Sequence, residues 1–115
     1  MKSLFLALLL ISFVLVTFAV SAEDAPGKTL FLANKCNTCH SIKADAIEKT
    51  SKTKMKKEPP DLSTIGDQKT ADWIVKYLKK QEMLDNAKHV KAWTGKDEDL
   101  MTVAKWLESH KSPAK

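Results

Sequence analysis

The chain has 115 residues, a length that accommodates one small domain. Its 19 basic residues are all Lys and stand against 14 acidic residues, for a net charge of +5 at pH 7. Because arginine is the residue that makes bidentate contacts to guanine, a chain without Arg is a poor candidate for nucleic-acid binding. Its charge fits an acidic protein partner or an anionic surface better.

The first 22 residues have the pattern of a secretory signal. Lys2 gives a short positive start, residues 4–19 are almost wholly apolar, and Val20-Ser21-Ala22 ends the segment with small residues. The apolar stretch is shorter than the roughly 20 residues of a spanning helix, so an uncleaved membrane anchor is the weaker alternative. We predict a signal peptide over residues 1–22, a mature domain over residues 23–115, and a periplasmic or secreted location. Membrane contact is expected only through a partner or an uncleaved leader.

Three later segments have the apolar spacing of helices, and strand-like alternation is nearly absent. The first spans residues 26–34, where Pro26 suits an early helical position. The second spans residues 70–80, with Thr70 as its N-cap. The third spans residues 97–110 and begins with three acidic residues that complement the helix dipole. The pattern predicts a small all-α domain of three to five helices.

The run Cys36-Asn37-Thr38-Cys39-His40 follows the first predicted helix. Cys-x-x-Cys-His is the signature of haem attachment, because two thiols at this spacing can each add to a vinyl group while the next His reaches the iron. The alternatives are a redox dithiol, which favours a strand before the motif, and half of a zinc site, which needs four ligands. We predict one covalent haem c, attached through Cys36 and Cys39, with His40 as the proximal iron ligand.

A long polar stretch, residues 41–58, separates the first two predicted helices and contains five Lys between Lys49 and Lys57. Its charge pattern favours a solvated, mobile loop, and the alternative is a docking face for an acidic redox partner. Pro59-Pro60 then ends any helix and favours an extended segment.

From about residue 24 to residue 110 the chain resembles the class I bacterial monohaem cytochromes c. The resemblance rests on the attachment motif and on four further features, namely Gly27, Phe31, the run Pro59-Pro60-Asp61-Leu62, and Trp106. It implies that the Pro60 carbonyl accepts a hydrogen bond from the far ring nitrogen of His40, which would fix the ring and raise its basicity. It also implies that Trp106 packs against the first helix.

The distal side departs from that family, whose usual sixth ligand is a Met three residues before an aromatic. Here Trp93 matches the aromatic and Val90 occupies the Met position. Valine cannot bind iron, so three arrangements stay open: ligation by His89, ligation by Met83, or an open iron beneath Val90. His89 is the predicted ligand. By resemblance, Val90, Trp93 and Trp73 are expected to line the haem pocket.

The resemblance implies a non-enzymatic carrier that moves one electron on its haem iron to an extracytoplasmic redox partner. The alternative is a haem-based sensor or enzyme whose open distal iron binds nitric oxide, carbon monoxide or peroxide. The coordination of the iron distinguishes the two, because a closed six-coordinate iron favours a carrier.

Overall fold

The computed structural model describes residues 25–113, so the predicted signal peptide lies outside the described residues. This part of the chain contains three α-helices, α1 over Pro26–Ala33, α2 over Ala71–Leu78 and α3 over Asp97–Glu108. Three short 3-10 turns lie at Cys36–Thr38, Lys43–Asp45 and Ile65–Asp67. Within residues 25–113 no helix has the length and apolarity to cross a membrane. The all-α prediction is confirmed, and each predicted helix begins and ends within two residues of an observed one.

Helices α1 and α3 cross at Gly27, where a side chain has no room. A Cβ atom on Gly27 would lie 2.1 Å from the Cβ of Trp106, so only glycine permits this approach. One turn later the Phe31 ring, 1% exposed, lies 5.5 Å from the Trp106 ring, centre to centre. The packing of Trp106 on the first helix is therefore confirmed.

Helix α2 is held at its beginning by two acceptors. The Thr70 hydroxyl accepts from the backbone N–H of Trp73 at 3.2 Å, which confirms the predicted N-cap. The carboxylate of Glu108, the last residue of α3, accepts from the backbone N–H of Ala71. Ile74 then turns into the core at 5% exposure. These contacts fix α2 to the end of α3.

The end of α3 also supports the segment that follows the attachment motif. Gly66 donates its backbone N–H to the carbonyl of His110 at 2.8 Å, and a Cβ on Gly66 would lie 1.8 Å from the carbonyl oxygen of Glu108. The His110 ring is 9% exposed, with Nδ1 at 2.8 Å from the carbonyl of Trp106 and Nε2 at 2.6 Å from Asp45 Oδ2. His110 therefore joins α3 to the loop just beyond His40.

The Lys-rich stretch is exposed over most of its length, as its charge pattern predicts, and its first part is anchored to the attachment motif. Residues 50 and 51 donate their backbone N–H groups to the carbonyls of the motif residues Asn37 and Thr38, at 2.9 and 3.1 Å. Two ion pairs also involve the stretch. Lys49 pairs with Glu58, at the other end of the stretch, at 2.5 Å, and Lys57 pairs with Asp85 in a later loop. The basic run thus begins beside the attachment motif and is tied near its end to Asp85.

Candidate haem site

A tight turn brings the attachment motif together immediately after α1. Lys35 adopts a left-handed conformation, with φ of 57°, and reverses the chain out of the helix. The backbone N–H groups of Cys39 and His40 both donate to the carbonyl of Cys36, at 3.2 and 3.0 Å. Both thiols are free and half-buried; burial raises the pKa of Cys36, and the charge of Lys91 partly offsets this rise. The two thiols and the imidazole therefore lie within one turn of chain.

The proximal imidazole is oriented by a backbone carbonyl. His40 Nδ1 lies 2.8 Å from the carbonyl oxygen of Pro60, the hydrogen bond that the resemblance implies. A carbonyl only accepts, so Nδ1 carries the proton and the lone pair lies on Nε2. Burial lowers the pKa of His40, the neighbouring His89 and Lys49 lower it further, and the bond to Pro60 opposes them. A neutral imidazole with a free Nε2 is the form that binds iron.

Asp61 fixes the position of that carbonyl relative to His40. Its carboxylate accepts hydrogen bonds from Ser41 Oγ at 2.6 Å, Lys43 N at 3.0 Å and Ser63 N at 2.9 Å. Desolvation raises the pKa of Asp61, but these hydrogen bonds outweigh it and hold the pKa well below its usual range. Asp61 follows Pro60 and Ser41 follows His40 in the chain. The hydrogen bond between Asp61 and Ser41 therefore holds together the two segments that supply the His40–Pro60 hydrogen bond.

The distal loop, residues 79–96, contains a narrow hairpin. Leu84 and Ala87 exchange two backbone hydrogen bonds, at 2.8 and 3.0 Å, around a two-residue turn. The turn residues Asp85 and Asn86 have φ of 52° and 62°. Asp and Asn tolerate this left-handed region better than other residues with side chains, so the sequence suits the turn. The hairpin fixes the path of the chain just before His89.

The three residues considered for the distal side differ in where they lie. Met83 is 58% exposed and Val90 is 78% exposed, whereas His89 is half-buried. The ring of His89 lies opposite that of His40, with 6.1 Å between ring centres and 10° between ring planes. Its Nδ1–H donates to the carbonyl of Lys91 at 2.5 Å, which leaves the lone pair on Nε2.

The separation of the two rings fits a metal ion bound between them. A metal–imidazole bond is about 2 Å long, and the ring centre lies about 1.1 Å behind the nitrogen, so two rings on one iron have centres about 6 Å apart. The 6.1 Å between His40 and His89 matches this spacing. Both rings also have Nδ1 engaged by a carbonyl. The residues present, Cys36, Cys39, His40 and His89, therefore fit a haem group whose iron would be held between the two imidazoles.

Two tryptophans were expected in the haem pocket, Trp73 on α2 and Trp93 in the distal loop. Trp73 on α2 stacks against Tyr77, with ring centres 4.8 Å apart and planes 21° apart. Trp93 is half-buried; its backbone N–H donates to the carbonyl of Leu78 at 2.9 Å, and its indole N–H donates to the carbonyl of Lys96 at 3.1 Å. Trp93 therefore fixes the distal loop to the end of α2.

Sequence reasoning did not assign Tyr77 to the site. The edge of Tyr77 meets the ring of His89, with 5.2 Å between centres and 71° between planes. The available signal was its spacing of four residues from Trp73, which on a helix places the two on one face. The carbonyl of Lys91 was also missed, because every residue supplies a carbonyl and no side chain marks this one.

An all-α domain that brings two free thiols, an adjacent imidazole and a second imidazole together defines a c-type haem protein. The family model for cytochrome c matches residues 25–111, and the chain belongs to the cytochrome c family. Searches of curated proteins and of solved structures gave no match. Membership supports a class I monohaem protein that carries covalent haem c and takes part in haem-based electron transfer, with Cys36 and Cys39 fitting the attachment motif.

Proposed function

We propose that this chain is an exported electron carrier whose haem iron is held axially by His40 and His89. The observation that carries the proposal is the pair of parallel rings 6.1 Å apart, each with Nδ1 bonded to a carbonyl. The haem, when bound, supplies a one-electron iron couple. The chain tunes this couple through the carbonyls of Pro60 and Lys91, which raise the basicity of the two imidazoles. Basic nitrogen donors favour ferric iron, so the potential is lower than with a thioether ligand.

The same geometry counts against a sensor or an enzyme with an open distal iron. A small ligand such as carbon monoxide needs a vacant position, and the proposed ligation by His89 fills that position. A carrier needs no vacant position, because the electron moves without a ligand entering.

Export is the second part of the proposal and rests on the sequence of residues 1–22. The positive start, the apolar stretch and the small residues before Glu23 form a cleavable signal. Covalent attachment supports the same location, because haem lost outside the cytoplasm is not replaced.

One preparation tests both parts of the proposal. Protein recovered from the extracytoplasmic fraction should have the mass of residues 23–115 plus one haem. Its spectrum should be low-spin in both oxidation states, without the sulfur-to-iron charge-transfer band of a Met ligand. Carbon monoxide should bind the ferrous protein slowly. A sulfur charge-transfer band would disprove the ligand assignment. An intact leader would disprove cleavage after Ala22, and haem protein found only in the cytoplasmic fraction would disprove export.

We propose an acidic protein as the redox partner, because basic residues lie beside the attachment motif. Lys49 and Lys57 are paired with carboxylates. The positive charge presented to a partner therefore comes from the other exposed lysines of the same loop, Lys43, Lys52, Lys54 and Lys56, of which the last three follow one another closely. The loop is anchored to Asn37 and Thr38 just before Lys52, so this basic run begins beside the attachment motif.

Replacing Lys52, Lys54 and Lys56 together with Gln should slow electron transfer to an acidic redox protein. At low ionic strength we expect roughly a tenfold lower bimolecular rate, and a weaker fall of the rate with added salt, because steering depends on these charges. Stopped-flow mixing at several salt concentrations measures both. The matched control replaces Lys96, Lys105 and Lys111, on or beside α3, with Gln. Equal effects of the two triple variants would assign the salt dependence to net charge and contradict a specific docking loop.

A further inference from the structure

A row of side chains runs along α2 and ends at the distal histidine. Lys69 Nζ lies 4.1 Å from the ring centre of Trp73, Trp73 stacks on Tyr77 at 4.8 Å, and Tyr77 meets His89 at 5.2 Å. Trp73 and Tyr77 are spaced by four on α2 and therefore share one helical face, and Lys69 lies just before the helix. Trp73 thus supports one side of the Tyr77 ring, and the Tyr77 ring meets the imidazole at a steep angle.

The His89 ring has two supports of different origin. The first is the carbonyl of Lys91, which belongs to the same loop and moves with His89. The second is Tyr77, which belongs to a helix fixed to α3 through the contact of Glu108 with Ala71. An imidazole bound through Nε2 can still rotate about the metal–nitrogen bond. A support outside the loop is needed to fix the orientation of the His89 ring relative to the helices of the domain.

We infer that Tyr77, backed by Trp73, is a positioning residue that holds the plane of His89 parallel to the plane of His40. The inference rests on the proposed ligation by both histidines. The relative orientation matters because each imidazole donates π electrons perpendicular to its own plane. Iron has two d orbitals that can accept this π donation. Two parallel rings donate to the same one and separate the two orbitals in energy, whereas two perpendicular rings donate to one each and leave them nearly equal in energy. The 10° between the planes places this protein in the parallel class.

Electron paramagnetic resonance of the ferric protein reads this orientation directly. Parallel planes give a rhombic low-spin signal with three well-separated g values, and perpendicular planes give a very anisotropic signal with one large g value. Wild-type protein and Tyr77→Phe, which keeps the ring, should both give the rhombic signal. Tyr77→Leu should shift or broaden it toward the anisotropic form. Carbon monoxide binding to the ferrous variant should become roughly two- to tenfold faster, because the lost ring contact no longer retains His89.

The outcomes separate this inference from the proposal beneath it. A sulfur charge-transfer band in the wild type would remove the second histidine and the inference with it. A low-spin wild type without that band, but with the anisotropic signal, would overturn the parallel arrangement alone. An unchanged signal and binding rate in Tyr77→Leu would overturn the role of Tyr77. If that variant loses its fold, Trp73→Leu gives the same test with a smaller expected shift, and an unchanged signal there would equally overturn the inference.

Discussion

His89→Ala should convert the haem iron from low-spin to high-spin and open it to external ligands. The half-buried imidazole opposite His40 is removed, and the exposed Val90 and Met83 offer no replacement in their present positions. Carbon monoxide association should rise by roughly a hundredfold, because no internal ligand has to leave first. Absorption spectra of both oxidation states and flash photolysis measure the change. His89→Met should keep a six-coordinate iron and raise the potential wherever the loop lets the thioether reach the metal.

Met83→Ala is the matched control for the distal side. Because the proposed ligand is His89, the loss of Met83 should leave the spin state, the potential and the carbon monoxide rate unchanged. A low-spin spectrum in His89→Ala together with a high-spin spectrum in Met83→Ala would reverse the assignment and make Met83 the ligand.

Gly66→Ala should be among the most destabilising single-methyl changes in the domain. Its new Cβ would meet the carbonyl oxygen of Glu108 at 1.8 Å and that of His110 at 2.8 Å, and backbone atoms cannot rotate aside. Overpacking of this kind costs about 3 kcal/mol of unfolding free energy. Denaturant unfolding of the ferric protein, followed by circular dichroism and haem absorption, measures it.

Gly95→Ala is the control for that measurement. Its Cβ would approach the side chain of Trp93 at 3.0 Å in the distal loop, where a small ring movement relieves the contact. We expect a loss below about 1 kcal/mol. Equal losses of unfolding free energy in the two variants would mean that the turn at residues 65–67 moves as easily as the distal loop. That result would contradict the close packing of Gly66 against the end of α3.

The helices and the attachment motif were predictable because their signals are local. Thr70 precedes an apolar face at helical spacing, and the acids at the start of α3 mark its first turn. Ligation by His89 stays a prediction, which rests on Val90 being unable to bind iron and on His89 being its neighbour. Such features depend on the identity of a side chain within a few residues of its partner.

The supports of the site were not predictable, because they join distant positions or use the backbone. Gly66 meets Glu108 and His110 far along the chain, and nothing near Gly66 marks it as crowded. The anchoring of the Lys-rich loop uses backbone N–H groups, which nearly every residue possesses, while its charge pattern favours a solvated loop. The pattern of charged and hydrophobic side chains does not indicate which carbonyl will accept the hydrogen bond of a given backbone N–H group.

The hydrogen bond between His110 and Asp45 implies an order in which parts of the domain form during synthesis. The attachment motif follows α1, and one support of the loop beyond it comes from a residue 65 positions later than Asp45, just after α3. During synthesis the motif therefore emerges while α3 is still unmade. The thiols are first presented on a segment that α3 does not yet brace. That bracing is complete only once His110 has been made, so the attachment motif precedes its own support in time.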